Sequence, residues 1–302
     1  MTQDIRRGTA EANGLTLAYE DMGDIDAPPV LLIMGFSAQL TLWPTEFCDL
    51  LVDAGYRPIR FDNRDIGLST KMDGTRVSGS MLLRMALFEI GRPSAVPYTL
   101  TDMAADTRGL LDHLGIDSAH VVGASMGGMI AQVLAAQSPD RVRTLGIIFS
   151  STNQPFLPPP APLALKALLS SPGKNPTRDD VVKLIMRGQK AIGSPEYRVS
   201  AEVAAQRAGE SYDRSYHPAG VVRQFGAVTG SGSLLRFTKK IDKPTVVIHG
   251  AKDPLIRPAA GKAVARAIKG ATLHIIDGMG HDLPVELLPR ITGLLVENFE
   301  RA

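Results

Sequence analysis

The stretch His120-Val121-Val122-Gly123-Ala124-Ser125-Met126-Gly127-Gly128-Met129-Ile130 decides how the rest of the chain is read. An apolar strand-like run leads into Gly-x-Ser-x-Gly, and a helix-like run follows it, which is the context of a nucleophile elbow. Small residues are required two before and two after the serine because the chain must turn abruptly there. A larger side chain at Gly123 or Gly127 would crowd the turn. Such a turn lifts the Ser125 hydroxyl to an apex open to a substrate. The helix that begins at Met126 brings free amides and the positive end of its dipole beside that apex, which suits a developing oxyanion.

A bare Gly-x-Ser-x-Gly is a weak signal, so the chemistry must find its partners elsewhere. A serine hydroxyl attacks only if a base takes its proton and an acid orients that base, and both should follow the serine in the order acid, then histidine. His281, in Asp277-Gly278-Met279-Gly280-His281-Asp282, fits: it follows a strand-like run, and its glycines let a loop reach over a sheet edge. His113 and His120 precede the serine, His217 falls in a helical insertion, and His249 and His274 fall within strands, so structural roles suit them better. Asp253, in His249-Gly250-Ala251-Lys252-Asp253-Pro254-Leu255, directly follows a buried strand and is the expected orienting acid, with Asp277 and Asp282 as local rivals. The second oxyanion amide is expected from the loop Met34-Gly35-Phe36-Ser37, at Phe36 N–H, paired with Met126 N–H.

Working outward, Leu15-Thr16-Leu17-Ala18-Tyr19-Glu20 alternates with period two, whereas Val30-Leu31-Leu32-Ile33-Met34 is apolar throughout. The first pattern suits an antiparallel edge strand and the second a strand buried on both faces. Further buried strands are expected over 57–61, 120–122, 143–149, 245–249 and 271–276. Helical stretches at 43–54, 101–114 and 126–136 lie between them, the first two stopped near Gly55 and at Gly115. Strand and helix alternate, which favours an α/β class with a mostly parallel sheet. The interval 151–240 breaks the rhythm. It opens on the proline-rich Pro155-Phe156-Leu157-Pro158-Pro159-Pro160 and continues as helical pieces at 163–169, 179–192, 201–208 and 219–228. The expected organisation is therefore a core of residues 1–150 and 241–302 with a helical cap inserted at 151–240.

Composition narrows the partners. With 302 residues, 33 Lys and Arg, 31 Asp and Glu and a net charge of +2, the chain is one ordinary α/β core plus an insertion and carries no field for a polyanion. Nucleic acid is not an expected partner. No apolar run is long enough to span a bilayer, and no apolar signal segment follows Arg6 and Arg7, so the expected location is cytoplasmic. Cys48 is the only cysteine and lies in a helix-like turn, where a buried inert thiol is the commoner outcome. The sequence leaves open whether copies associate.

These residues together resemble the α/β-hydrolase superfamily over essentially the whole chain. The run Ile59-Arg60-Phe61-Asp62-Asn63-Arg64-Asp65-Ile66-Gly67-Leu68-Ser69, with Met34-Gly35-Phe36 and Trp43-Pro44, looks like a bacterial carboxylesterase subgroup that includes the aclacinomycin methylesterases. The resemblance implies an α/β-hydrolase fold with a helical cap and hydrolysis of a small to medium carboxylic ester. It implies no metal and no organic cofactor, with water as co-substrate and Ser125, Asp253 and His281 as the triad. Lactonases, thioesterases, carbon–carbon bond hydrolases and cofactor-free perhydrolases share the scaffold, as do non-catalytic ligand receptors, and fold alone does not separate them. Met34 departs from the histidine that many members carry at this place, so the oxyanion loop is expected to be supported differently. Asp62-Asn63-Arg64-Asp65 is read as a turn held by side-chain hydrogen bonds and an ion pair rather than as acid–base machinery. Trp43 is read equally as an acyl-pocket wall or as a core residue at a helix start.

Overall fold

The structure is a computed structural model that describes residues 5–302. Eight strands form one sheet: β1 (Arg6–Ala12), β2 (Leu15–Asp21), β3 (Pro29–Ile33), β4 (Arg57–Phe61), β5 (Ala119–Ala124), β6 (Val142–Ile148), β7 (Thr245–Gly250) and β8 (Thr272–Ile276). Their spatial order is β1-β2-β4-β3-β5-β6-β7-β8. β1 and β2 pair antiparallel, β2 meets β4 antiparallel, and every pairing from β4 to β8 is parallel. The expected antiparallel edge on a parallel sheet is thus present. Eleven helices accompany the strands among the described residues: α1 (Thr45–Asp53), α2 (Met81–Glu89), α3 (Leu100–His113), α4 (Met126–Gln137), α5 (Pro162–Leu168), α6 (Arg178–Ile192), α7 (Ala201–Arg214), α8 (Pro218–Gly230), α9 (Leu235–Thr238), α10 (Pro258–Ala267) and α11 (Leu288–Phe299).

The unbroken apolar runs are explained by two cores, one on each face of the sheet. Leu31 and Ile33 of β3 face the cluster that holds Met103 and Leu110 of α3 and Ile130 and Val133 of α4. Val30 and Leu32, one residue out of phase, face Phe47 and Leu51 of α1 and Ile291 and Leu295 of α11. Each fully buried side chain of this size contributes roughly 1.5–3 kcal/mol relative to exposure. A slip of one residue would exchange whole faces, so the pattern fixes register.

β1 has no counterpart among the expected strands. Its sequence, RRGTAEA, hides the alternation because it is the edge strand, with only Ala10 and Ala12 fully in the core. Its charges instead pair across the ladder, where Arg6 faces Asp21 and Arg7 faces Glu20. α2 likewise has no expected counterpart. Between β6 and β7 the described chain runs through α5 to α9 and forms no strand. α7 extends past the expected 201–208 to Arg214, through the polar run Gly209-Glu210-Ser211-Tyr212-Asp213-Arg214, which masks helical periodicity. No helix among the described residues is long and apolar enough to cross a membrane.

Candidate active site

β5 ends at Ala124 and α4 begins at Met126, leaving Ser125 alone between them at φ 55° and ψ −120°. A non-glycine residue at positive φ carries strain of order 1–3 kcal/mol, which persists only where its surroundings over-determine it. Here the Ser125 N–H donates to Ile148 O at 2.9 Å. The Ser125 carbonyl accepts from the amides of Gly128 and Met129 and from Ser150 Oγ at 2.6 Å. The flanking glycines are dictated by contact. A Cβ on Gly127 would lie 1.9 Å from the Ile33 carbonyl oxygen, and one on Gly123 would lie 2.3 Å from the Gly127 oxygen.

The parallel register brings the ends of β5, β7 and β8 to one edge, where the loops after them meet. His281 Nε2 lies 3.0 Å from Ser125 Oγ, and His281 Nδ1 lies 2.7 Å from Asp253 Oδ2. A carboxylate only accepts, so Nδ1 carries the proton and Nε2 is left to accept from the serine hydroxyl. Asp253 is aimed by its own turn: Oδ1 accepts from the amides of Leu255 at 2.8 Å and Ile256 at 2.9 Å, which leaves Oδ2 for the imidazole. Burial alone would raise the Asp253 carboxyl, but the His281 charge and hydrogen bonds from His249 and His281 outweigh it and hold it down to about 2. Phe149 packs its ring 4.6 Å from the imidazole. The rival acids are elsewhere: Asp277 is exposed, and Asp282 Oδ1 accepts from the Ser194 amide at 2.9 Å and from its hydroxyl.

Gly35 presses against the serine, since a Cβ there would stand 3.0 Å from Ser125 Cβ, and Phe36 N–H follows directly. Neither Phe36 N–H nor Met126 N–H donates to any acceptor among the described residues. The support that Met34 does not supply comes from two amide side chains. Asn63 Nδ2 donates to the Met34 carbonyl and Gln224 Oε1 accepts from the Ser37 N–H, both at 2.9 Å. Sequence reading misses Gln224, Ser150 and Ser194, and it places Asn63 in a hydrogen-bonded turn without foreseeing its bond to the Met34 carbonyl. The one signal for Gln224 is the polar pair Arg223-Gln224 inside the apolar run of α8.

Trp43 is not brought to these groups. It is 0% exposed, stacked on Phe47 with centroids 5.3 Å apart, and belongs to the α1–α11 core. The turn at Asp62 to Asp65 is held by side-chain bonds. Asp62 accepts from the amides of Leu40 and Leu68, Arg64 pairs with Asp106, and Asp65 takes both a bidentate Arg223 and the Tyr98 hydroxyl. Cys48 is buried, and burial pushes its thiol up to about 12. His120 is buried between Tyr56 and Phe299, and burial with the Arg143 charge lowers it to about 4.

The likeness to known proteins agrees with this architecture. The rhodomycin D methylesterase DnrP of Streptomyces peucetius is 29% identical over 295 residues, covering 90% of each chain. The 2-hydroxymuconate semialdehyde hydrolase of Pseudomonas putida is 30% identical over 212 residues, covering 69% of this chain and 71% of its own. The solved meta-cleavage product hydrolase CumD of Pseudomonas fluorescens IP01 superposes with a TM-score of 0.75 at 20% identity, covering 97% of both chains. Residues 28–286 match the family described as alpha/beta hydrolase fold, and the chain belongs to that family.

Proposed function

We propose that this protein is a serine carboxylic ester hydrolase that works through an acyl-enzyme. The observation that carries the reading is the continuous line from Asp253 Oδ2 through both nitrogens of His281 to Ser125 Oγ, at 2.7 and 3.0 Å. His281 takes the serine proton as Oγ attacks the ester carbonyl, and Asp253 stabilises the imidazolium that forms. The tetrahedral oxyanion is received by the amides of Phe36 and Met126, the second of which opens α4 and carries the positive end of its dipole. His281 then protonates the leaving alcohol. Water, deprotonated by the same histidine, attacks the acyl carbonyl and releases the carboxylic acid.

The helices at 151–240 act in this reading as a cap whose α8 and α6–α7 turn meet the oxyanion and histidine loops. The methylesterase relative favours an ester with a small alcohol. The 2-hydroxymuconate semialdehyde hydrolase relative keeps carbon–carbon bond hydrolysis as the second reading, because the same serine and histidine serve both. The test is Ser125→Ala in a protein whose circular dichroism matches wild type. Hydrolysis of p-nitrophenyl acetate and labelling by a fluorophosphonate should both vanish, and full retained activity would sink the assignment. A panel of methyl esters, lactones, thioesters and vinylogous diketones given to wild type then separates the two readings by which bond is cleaved.

A further inference from the structure

The oxyanion loop is gripped at both ends by side chains outside it. On one side, Asn63 Nδ2 donates to the carbonyl of Met34, and on the other Gln224 Oε1 accepts from the amide of Ser37. Gly35 and Phe36 lie between these two points, so the direction of Phe36 N–H is set by them. Ser37 needs such a clamp because its own backbone sits at φ 58°, which a non-glycine residue leaves readily when released. Gln224 is itself fixed, being 0% exposed with Nε2 donating to the Arg64 carbonyl at 2.9 Å. That second bond settles which end of the amide faces Ser37: one partner is a donor and the other an acceptor, so the side chain satisfies both in one orientation only. The next residue toward the N-terminus, Arg223, locks the helix to Asp65 through bonds of 2.8 and 2.7 Å, and Phe225 packs edge-on against Phe36 with centroids 6.1 Å apart.

We infer that Gln224 is a positioning residue for catalysis: from α8 it holds the Ser37 end of the oxyanion loop and so aims Phe36 N–H at the oxyanion. The helical insertion between β6 and β7 thereby builds part of the oxyanion hole, 187 residues away in sequence, in addition to covering the site. Met34 is apolar and contributes only its backbone here. The hold on the loop passes instead to two neutral amides, Asn63 from the core and Gln224 from the insertion. This inference rests on the hydrolase reading above.

The test compares wild type with Gln224→Met, close in shape but unable to accept, and Gln224→Glu, which keeps an acceptor toward Ser37 and loses the donor toward Arg64. With p-nitrophenyl acetate, well below the melting temperature of each variant, Gln224→Met should lower kcat about tenfold to a hundredfold. That is less than the roughly hundred- to thousandfold cost of deleting an oxyanion donor outright. KM should stay within about threefold, because ground-state binding does not use the oxyanion. Inhibition by phenylboronic acid, whose serine adduct places an oxygen at the oxyanion position, should weaken in parallel, and Gln224→Glu should fall between Gln224→Met and wild type. A folded Gln224→Met with wild-type kcat overturns the inference. So does a loss of activity that follows thermal stability alone and leaves boronate inhibition unchanged. If Gln224→Met does not fold, amide hydrogen exchange of wild type decides: a protected Ser37 amide is expected, and exchange at the rate of an open loop overturns the clamp. Wild type that fails to label with fluorophosphonate would remove the hydrolase reading instead, so the two failures are distinct.

Discussion

At Ser125 a backbone at φ 55° is tolerated because Ile148, Ser150 and the first turn of α4 occupy both the N–H and the carbonyl of that residue. Asp253 shows the same economy of side-chain valence, with one oxygen spent on its own turn and the other on His281. Replacing it by Asn should leave the fold intact but put an N–H where Nδ1–H now donates. The imidazole would then favour the wrong tautomer, and kcat for ester hydrolysis should fall about 10,000-fold with KM little changed. Stopped assays across pH 5 to 9 check this, and a loss below tenfold would remove Asp253 from the role. Ser125, Asp253 and His281 are legible in the sequence because each sits in a local signature of strand end, glycine and order. Gln224, Asn63 and Ser194 are not, since an amide or hydroxyl has no signature until its partner is brought to it.

Among the elements, α8 shows what the hydrophobic pattern cannot express. Its buried face carries Arg223 and Gln224 beside Gly226 and Ala227, and these polar groups are compensated by partners outside the helix, Asp65 and the Arg64 carbonyl in the turn after β4, the Thr75 carbonyl and the Ser37 amide. Asp65, buried and pulled well below the usual carboxylate range by hydrogen bonds from Arg223, the Met72 amide and Tyr98 despite its desolvation, is the anchor. Arg223→Ala should strand that charge and cost about 3–5 kcal/mol, measured as a shift in the urea midpoint. The double variant Asp65→Asn with Arg223→Met should recover a large part of the loss, since Asn tolerates the positive φ of 72° at that position and no charge is left unpaired. Equal stability of Arg223→Ala and wild type would show that α8 is held by packing alone. The same reasoning explains the elements that sequence reading misses. β1 is an edge strand whose register is set by Arg6 and Arg7 against Asp21 and Glu20, so it lacks the apolar alternation by which strands are read.

For the whole molecule the buried carboxylates set the response to acid. Glu20, Asp21, Asp65 and Asp253 are each desolvated, which would raise them. Each is nonetheless lowered in the folded chain, the first three chiefly by hydrogen bonds and charges from Arg60, Arg57 and Arg223 and the last by His281 and His249. A folded value below the unfolded one adds stability above the ordinary range of 3.8 to 4.5, and that stability is lost as pH falls through the depressed values. Asp253, held down to about 2, accounts for on the order of 2 kcal/mol of this. Asp106 and Asp282 run the other way, because burial raises each, and the stability they add below their unfolded values is lost as pH rises through the folded ones. Four lowered carboxylates against two raised ones, together with His120, which burial holds down to about 4 so that the unfolded chain takes up that proton first below about pH 6.5, predict a melting temperature that declines gently below pH 6.5 and drops steeply between pH 4 and 2, measurable by calorimetry. A curve that stays flat to pH 3 would show that these pairs are not charged in the fold. The sequence by itself determined the alternation of strand and helix, the two-faced burial of the parallel strands, the turn at Ser125 and the choice of Asp253 and His281 as its candidate partners, because each is a pattern within about ten residues or an order along the chain. Tertiary structure alone decided that Trp43 lies in the core and that Asn63 and Gln224 grip the loop of Phe36. It also placed Ser194 on the loop of His281, because those contacts join residues far apart whose types are common and whose partners only packing selects.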